Sequence, residues 1–164
     1  MSGEGRPSRR AVDAGGLTLG IVATRWHGRL TDLLLERALA AAKECGIDDP
    51  AVARVAGSLE LPVVVQELAR HHDAVVALGV VVRGGTPHFD HVCRVTNDGL
   101  ARVTLDERTP VGNGVLTCDT VEQAVERSGG PGSREDKGWE ATVAALDAAL
   151  VLRGVRHRHA VPLS

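Results

Sequence analysis

The stretch from Val75 to Phe89 constrains this chain most: Val-Val-Ala-Leu-Gly-Val-Val-Val, then Arg-Gly-Gly-Thr-Pro-His-Phe. An unbroken apolar run closed by a turn is the pattern of a strand buried on both faces of a parallel sheet. Gly84-Gly85-Thr86-Pro87 makes a turn that a helix can follow, and two residues without Cβ let backbone approach a ligand closely. Backbone N–H groups at the start of that helix favour an anion, helped by the helix dipole. Thr86 adds a hydroxyl, and His88 an imidazole that can move protons near neutral pH. The loop is either a phosphate cradle beside a proton carrier, or a strand–turn–helix connection with an incidental histidine.

The rest of the chain repeats this grammar. Leu17 to Thr24 reads as a first buried strand, followed by Arg25-Trp26-His27-Gly28. Apolar residues at 30, 33, 34, 38, 41, 42 and 45 form a helical stripe that Gly46 closes. Ala51 to Ala56 is a short second strand. Gly57-Ser58-Leu59-Glu60-Leu61-Pro62 is again a strand-to-helix transition, with Pro62 suited to a first helical turn and the helix running to about Arg70. A long helix is expected from His88 to about Arg108, weakened in its middle by Gly99. Val111 to Thr117 is a fourth strand, loosened by two glycines. Thr120-x-x-Gln123 opens a short helix to Arg127. Ser128 to Asp136 is the longest internal loop, and Trp139 to about Arg153 the last helix. Residues 1–15 read as a loose arm, residues 16–155 as one domain, and residues 156–164 as a basic tail that frays.

Strand and helix alternate, which predicts a parallel sheet with helices on both faces. Ligands of such sheets bind beyond the carboxyl ends of the strands. Trp26, the Ser58–Glu60 turn, the Gly84–His88 loop and Asn113 are assigned to those ends.

Composition removes several functions. Aromatics make up 2% of the chain and the formal net charge is −2, so the basic stripe and stacking rings of a nucleic-acid surface are missing. No apolar run approaches the roughly 20 residues of a membrane span, and the polar start lacks the apolar core of a secretory signal. Cys45, Cys93 and Cys118 form no Cys-x-x-Cys pair and read as reduced residues of a cytoplasmic protein. The first strand leads into Arg-Trp-His-Gly rather than Gly-x-Gly-x-x-Gly, and no P-loop occurs. His88 and His91 are three apart, but no third ligand accompanies them, so no metal is expected.

Trp26 can stack on a flat heterocycle or fill the core. Glu60 can accept hydrogen bonds from ligand hydroxyls or ring N–H groups, or serve as a helix N-terminal carboxylate. Val80, Val81 and Val82 can offer main-chain donors and acceptors to a ring edge while their side chains pack in the sheet. Arg127 can pair with a phosphate through its planar fork. Lys137 can do similar work or be a surface charge.

Taken together, Trp26, Gly57-Ser-Leu-Glu60, Gly84-Gly-Thr-Pro-His-Phe-Asp90, Asn113-Gly-Val-Leu116, Glu122-Gln-Ala124, Arg127 and Asp136-Lys-Gly138 resemble the 6,7-dimethyl-8-ribityllumazine synthase family. The likeness covers about residues 12 to 155. Its most specific piece is Gly-x-Thr-x-His-Phe at the end of an apolar strand. Trp-His-Gly, Gln-Glu-Leu-Ala-Arg and Glu-Asp-Lys-Gly bring it nearest to the actinobacterial forms.

The resemblance implies an α/β fold, a flavodoxin-like three-layer sandwich with a four-stranded parallel sheet in the order 2-1-3-4. It implies a transferase of riboflavin biosynthesis that condenses 5-amino-6-(D-ribitylamino)uracil with 3,4-dihydroxy-2-butanone 4-phosphate, without a cofactor. Trp26 would stack on the pyrimidine, Ser58, Leu59 and Glu60 would meet the ribityl chain, and Val80 to Val82 the ring edge. Gly85 and Thr86 would hold the phosphate, Arg127 would neutralise it, and His88 would transfer protons. Gly84, His27 and Lys137 stand beside them in support. The segments matching Asn113, Arg127 and Lys137 would reach the site from the neighbouring subunit of a homopentamer, and a functional link to riboflavin synthase is implied.

Gly85 replaces a larger residue of many members, and Asn113 replaces an aromatic one. The Ser128–Asp136 loop is about two residues longer than the tight turn of shell-forming members, so a free pentamer is expected rather than a sixty-subunit shell. The competing reading is a non-catalytic module that binds a ribityl-pyrimidine or flavin on the same scaffold. A flavodoxin-like phosphosugar isomerase fits less well, because Glu60 has no second carboxylate or lysine base beside the turn.

Overall fold

A computed structural model describes residues 10–159. Four strands, β1 (Leu19–Thr24), β2 (Ala51–Val55), β3 (Ala74–Val82) and β4 (Val111–Cys118), form one parallel sheet in the order β2-β1-β3-β4. The expected order and direction are thus met. Five α-helices connect and flank the strands: α1 (Gly28–Glu44), α2 (Leu61–Ala69), α3 (His88–Asp106), α4 (Val121–Val125) and α5 (Lys137–His159). A 3-10 turn, Ser58–Glu60, precedes α2.

The central strand is apolar throughout because each face meets a different helix pair. Val76, Leu78 and Val80 join Leu34, Ala38 and Ala42 of α1 and Ala145, Leu146 and Ala149 of α5 in one cluster. Val75 and Ala77 face Leu61 and Val65 of α2 and Leu100 and Val103 of α3 in the other. Each fully buried Leu, Ile or Val contributes about 1.5–3 kcal/mol of transfer free energy. With almost no aromatic volume available, the layers close by near approach of backbone. A Cβ on Gly112 of β4 would lie 2.2 Å from Ala141 O of α5, so this glycine is a packing requirement rather than a loose point in the strand.

Three boundaries differ from the sequence reading. The packed chain begins before residue 16: Ala14 is fully buried and its N–H donates to Cys45 O at 2.9 Å. The beginning of the expected arm, residues 1–9, lies outside the described residues. At the other end, α5 continues through Arg156–His159 instead of fraying there. Gly154 interrupts no hydrogen-bond ladder, and the Arg156 Nη2 group donates to Arg108 O at 2.9 Å, tying the last turns to the loop before β4. Residues 160–164 lie outside the described chain. Third, α5 starts at Lys137, two residues early, because Asp136 Oδ1 accepts the Trp139 N–H at 3.2 Å in its first turn. Trp139, read only as the start of the last helix, is a core residue, 7% exposed.

Candidate active site

Strand lengths set the site. The pairing of β3 with β1 ends at Ala23↔Leu78, whereas its pairing with β4 continues to Val82↔Cys118. Val80, Val81 and Val82 therefore overhang β1, and their peptide groups on that edge have no strand to bond. Such groups are costly to leave unpaired and suit a planar ligand with in-plane donors and acceptors.

Above the end of β1 the chain turns sharply. Arg25 N–H donates to Val55 O at 2.9 Å, anchoring the turn to β2. Trp26 is 69% exposed, which settles its two readings: it does not fill the core. Its indole lies along Gly57, where a Cβ would come within 3.3 Å of Cδ1. His27, at the N-cap of α1, has φ 53° and ψ 47°, a left-handed conformation. For a residue with a Cβ this costs on the order of 1–3 kcal/mol, a strain found most often at ligand sites.

The second turn supplies polar groups. Ser58, Leu59 and Glu60 form the 3-10 turn, and Glu60 Oε2 accepts the Gly57 N–H at 2.8 Å. Glu60 is thus partly the helix-terminal carboxylate of the plainer reading. Among the described residues its other oxygen accepts no hydrogen bond, which leaves it to a ligand. Ser58 is 8% exposed, and its carbonyl accepts a hydrogen bond from the buried Thr96 hydroxyl at 3.2 Å.

The third turn, after β3, is held by a residue that the sequence reading left aside. Arg83 forks to both oxygens of Asp90 at 3.2 Å, donates through Nε to Asp119 at 2.7 Å, and stacks over the Phe89 ring at 4.2 Å. The Asp119 hydrogen bond, with that to Asp90, pushes its pKa further up. An arginine seven residues before an aspartate, across a Gly-Gly turn, was the available signal. With Asp90 engaged, no side chain caps the N-terminus of α3. Gly84, Gly85 and Thr86 are exposed there. A Cβ on either glycine would meet nothing within 4 Å, so the fold itself does not require them.

These turns enclose a cleft of about 360 Å³ lined by Trp26, His27, Gly57–Glu60, Val80–Val82, His88 and Val92. An exposed ring, a short polar turn, an open strand edge and an imidazole thus converge. Val92, one helical turn after His88, is a wall residue that the sequence reading did not single out.

A family model described as 6,7-dimethyl-8-ribityllumazine synthase matches residues 16–153. The chain belongs to the 6,7-dimethyl-8-ribityllumazine synthase family. Among curated relatives of that name, the protein of Saccharopolyspora erythraea is 67% identical over 95% of this chain and 94% of its own length. That of Thermobifida fusca is 64% identical over 95% and 91%. That of Mycobacterium leprae is 59% identical over 95% and 98%. The lumazine-synthase likeness therefore holds over nearly the whole of both chains.

Six expected site residues do not line the cleft of their own chain: Gly84, Gly85 and Thr86, which lie on the adjoining turn before His88, and Asn113, Arg127 and Lys137, which lie elsewhere. Asn113 was assigned to a strand end, but the register sets it opposite Ala77, in the first half of β3. There its side chain donates to Asn97 Oδ1 at 2.6 Å and accepts the Val115 N–H at 3.1 Å. Arg127 Nη1 donates to Gln123 O at 2.8 Å. Lys137 sits between Glu135 at 2.8 Å and Glu140 at 3.0 Å. Burial opposes its charge, but the two carboxylates prevail and raise its pKa. Among the described residues, no arginine or lysine lines the cleft.

Proposed function

We propose that this chain is a 6,7-dimethyl-8-ribityllumazine synthase: it condenses 5-amino-6-(D-ribitylamino)uracil with 3,4-dihydroxy-2-butanone 4-phosphate and releases phosphate and water. The observation that carries this reading is the open edge of Val80–Val82 between Trp26 and His88 in a chain of this family. The uracil ring stacks on Trp26 and bonds to the strand edge. The ribityl chain runs along Ser58, Leu59 and Glu60. The butanone phosphate sits at Gly84, Gly85 and Thr86, where the uncapped turn of α3 presents N–H groups to the anion.

The substrate amine attacks the ketone carbon; loss of water leaves an imine. Phosphate then departs, leaving an enol at the former hydroxyl-bearing carbon. The enol tautomerises to a new ketone, and the ribitylamino nitrogen closes the ring on that carbonyl with loss of a second water. Each step moves a proton, and His88 is the cleft group suited to carry it. Holding both substrates in register accounts for the larger share of the acceleration, up to roughly 7–11 kcal/mol.

The site needs a second copy of the chain. A phosphate dianion calls for a cation, and among the described residues no arginine or lysine lines this cleft; Arg127, Lys137 and Asn113 come from the adjacent subunit of a homopentamer. The product passes to a riboflavin synthase, a soluble partner in the same cytoplasmic pathway. The test is direct: mix the two substrates with the protein and follow lumazine absorbance together with phosphate release. Stoichiometric appearance of both is expected. Tight binding of the ribityl-pyrimidine with neither product would favour the non-catalytic binding module.

A further inference from the structure

Two buried threonine hydroxyls flank Ser58 beneath the cleft, and they are not equivalent. Thr96 Oγ1 donates to the Ser58 carbonyl and is thereby satisfied. Thr24, the last residue of β1, is fully buried, yet its Oγ1 has no hydrogen-bond partner. It lies on the α2/α3 face of the sheet, where its neighbours Val22, Val75 and Ala77 are apolar. Hydroxyls in such places are normally paired, and an exception calls for an explanation.

The explanation lies at Gly79, the next β3 residue after the last β1 pair. A Cβ built there would stand 3.3 Å from Thr24 Oγ1 and 3.2 Å from Ser58 Oγ. Both hydroxyls thus converge on the same space above one glycine, and any side chain at 79 would separate them. Ser58 lines the cleft; Thr24 does not. Among the described residues Ser58 Oγ also makes no hydrogen bond.

We infer that Thr24 is a positioning residue for the polyol subsite, acting through Ser58; this rests on the assignment of Ser58 to the ribityl chain made above. When a ribityl hydroxyl accepts a hydrogen bond from Ser58 Oγ, that oxygen becomes a better acceptor, and the Thr24 hydroxyl turns to donate to it. The chain of hydrogen bonds runs from Thr24 to Ser58 to substrate, each link polarising the next. The fold keeps an unpaired hydroxyl in the empty site so that the filled site has a complete relay.

Stability and binding respond in opposite directions, which makes the inference testable. Thr24→Val is isosteric and removes only the hydroxyl. It is expected to unfold at a higher temperature, because an unpaired buried polar atom is gone. It is also expected to raise KM for the ribitylaminouracil roughly three- to tenfold, the usual worth of one hydrogen bond. KM for the butanone phosphate and kcat should stay within about twofold, since neither involves this relay. Thr24→Ser should restore the wild-type KM. In a Ser58→Ala background, Thr24→Val should have no further effect on KM. Should Thr24→Val not fold, Thr24→Ala replaces it in each comparison.

An unchanged KM for the ribityl substrate in an otherwise stabilised Thr24→Val protein overturns the inference, as does an additive effect in the Ser58→Ala background. Wild-type protein that forms no lumazine at all overturns the functional assignment instead, so the two failures are told apart.

Discussion

His88 sits where two arguments meet, at the first residue of α3 and on the wall of the cleft. Removing a proton carrier from a reaction dominated by substrate positioning slows it without stopping it. His88→Ala is therefore expected to retain the lumazine product with kcat lowered by about 10²-fold, at the lower end of what acid–base help supplies. Steady-state absorbance kinetics decide it, and wild-type turnover would remove the histidine from the mechanism. Lys137 gives a different kind of test. Its pKa is raised in the folded protein, so its contribution to stability is fully present below the unfolded value, about 10.4, and is lost as pH rises through the higher folded value. The urea midpoint of the wild type should fall over that range. Lys137→Met, which leaves Glu135 and Glu140 facing each other, should start lower and fall less. Some placements around the cleft were legible in the chain from the start. Trp26 followed an apolar strand, and Gly57-Ser-Leu-Glu followed another. Thr24 was not legible, because nothing local marks a threonine whose hydroxyl points into the same space as that of a serine 34 positions later, above a glycine of a third segment.

At the scale of elements, the alternation of apolar runs with helical stripes carried the parallel sheet and the helices on both of its faces, since hydrophobic period is set by which faces are covered; the strand order came from the family resemblance. What failed was position along an element. Asn113 was assigned to the strand tips although it falls early in a strand read as Val111 to Thr117, and the two glycines read as loosening that strand are instead where α5 and the side chain of Leu78 press closest. Register between β3 and β4 is a tertiary property, and it moved Asn113 away from the strand tips. The same contact yields a prediction. Gly112→Ala forces α5 off the sheet and should destabilise the protein by about 1–3 kcal/mol, the range for overpacking a tight interior. Denaturant unfolding measures it, and an unchanged midpoint would show that α5 can shift freely. The length of α5 escaped the sequence for a related reason: the tie between Arg156 and Arg108 O is visible only once the helix end and the loop before β4 are both placed.

For the whole molecule, no arginine or lysine among the described residues lines the cleft, so the proposed function calls for a second subunit. If Arg127 serves a neighbour, then His88→Ala and Arg127→Ala variants, each impaired, should regain activity when unfolded and refolded together. Mixed rings contain some sites with an intact His88 from one subunit and an intact Arg127 from the next. No recovery above the sum of the two would place both residues in the same subunit's site. Light scattering on the wild type should give a mass near five chains. A particle near sixty would mean that the longer segment between Ser128 and Asp136, closed on itself by an antiparallel bridge, is tolerated at shell contacts.

The overhang of β3 past β1 has an evolutionary corollary. A heterocycle gripped by peptide groups is recognised by atoms that every amino acid except proline supplies alike. Codon changes at Val80, Val81 or Val82 can alter bulk, but they leave the donors and acceptors standing. A ring-mimicking inhibitor anchored on that ledge would face resistance mainly through Trp26 or the polyol wall, and seldom through the strand itself.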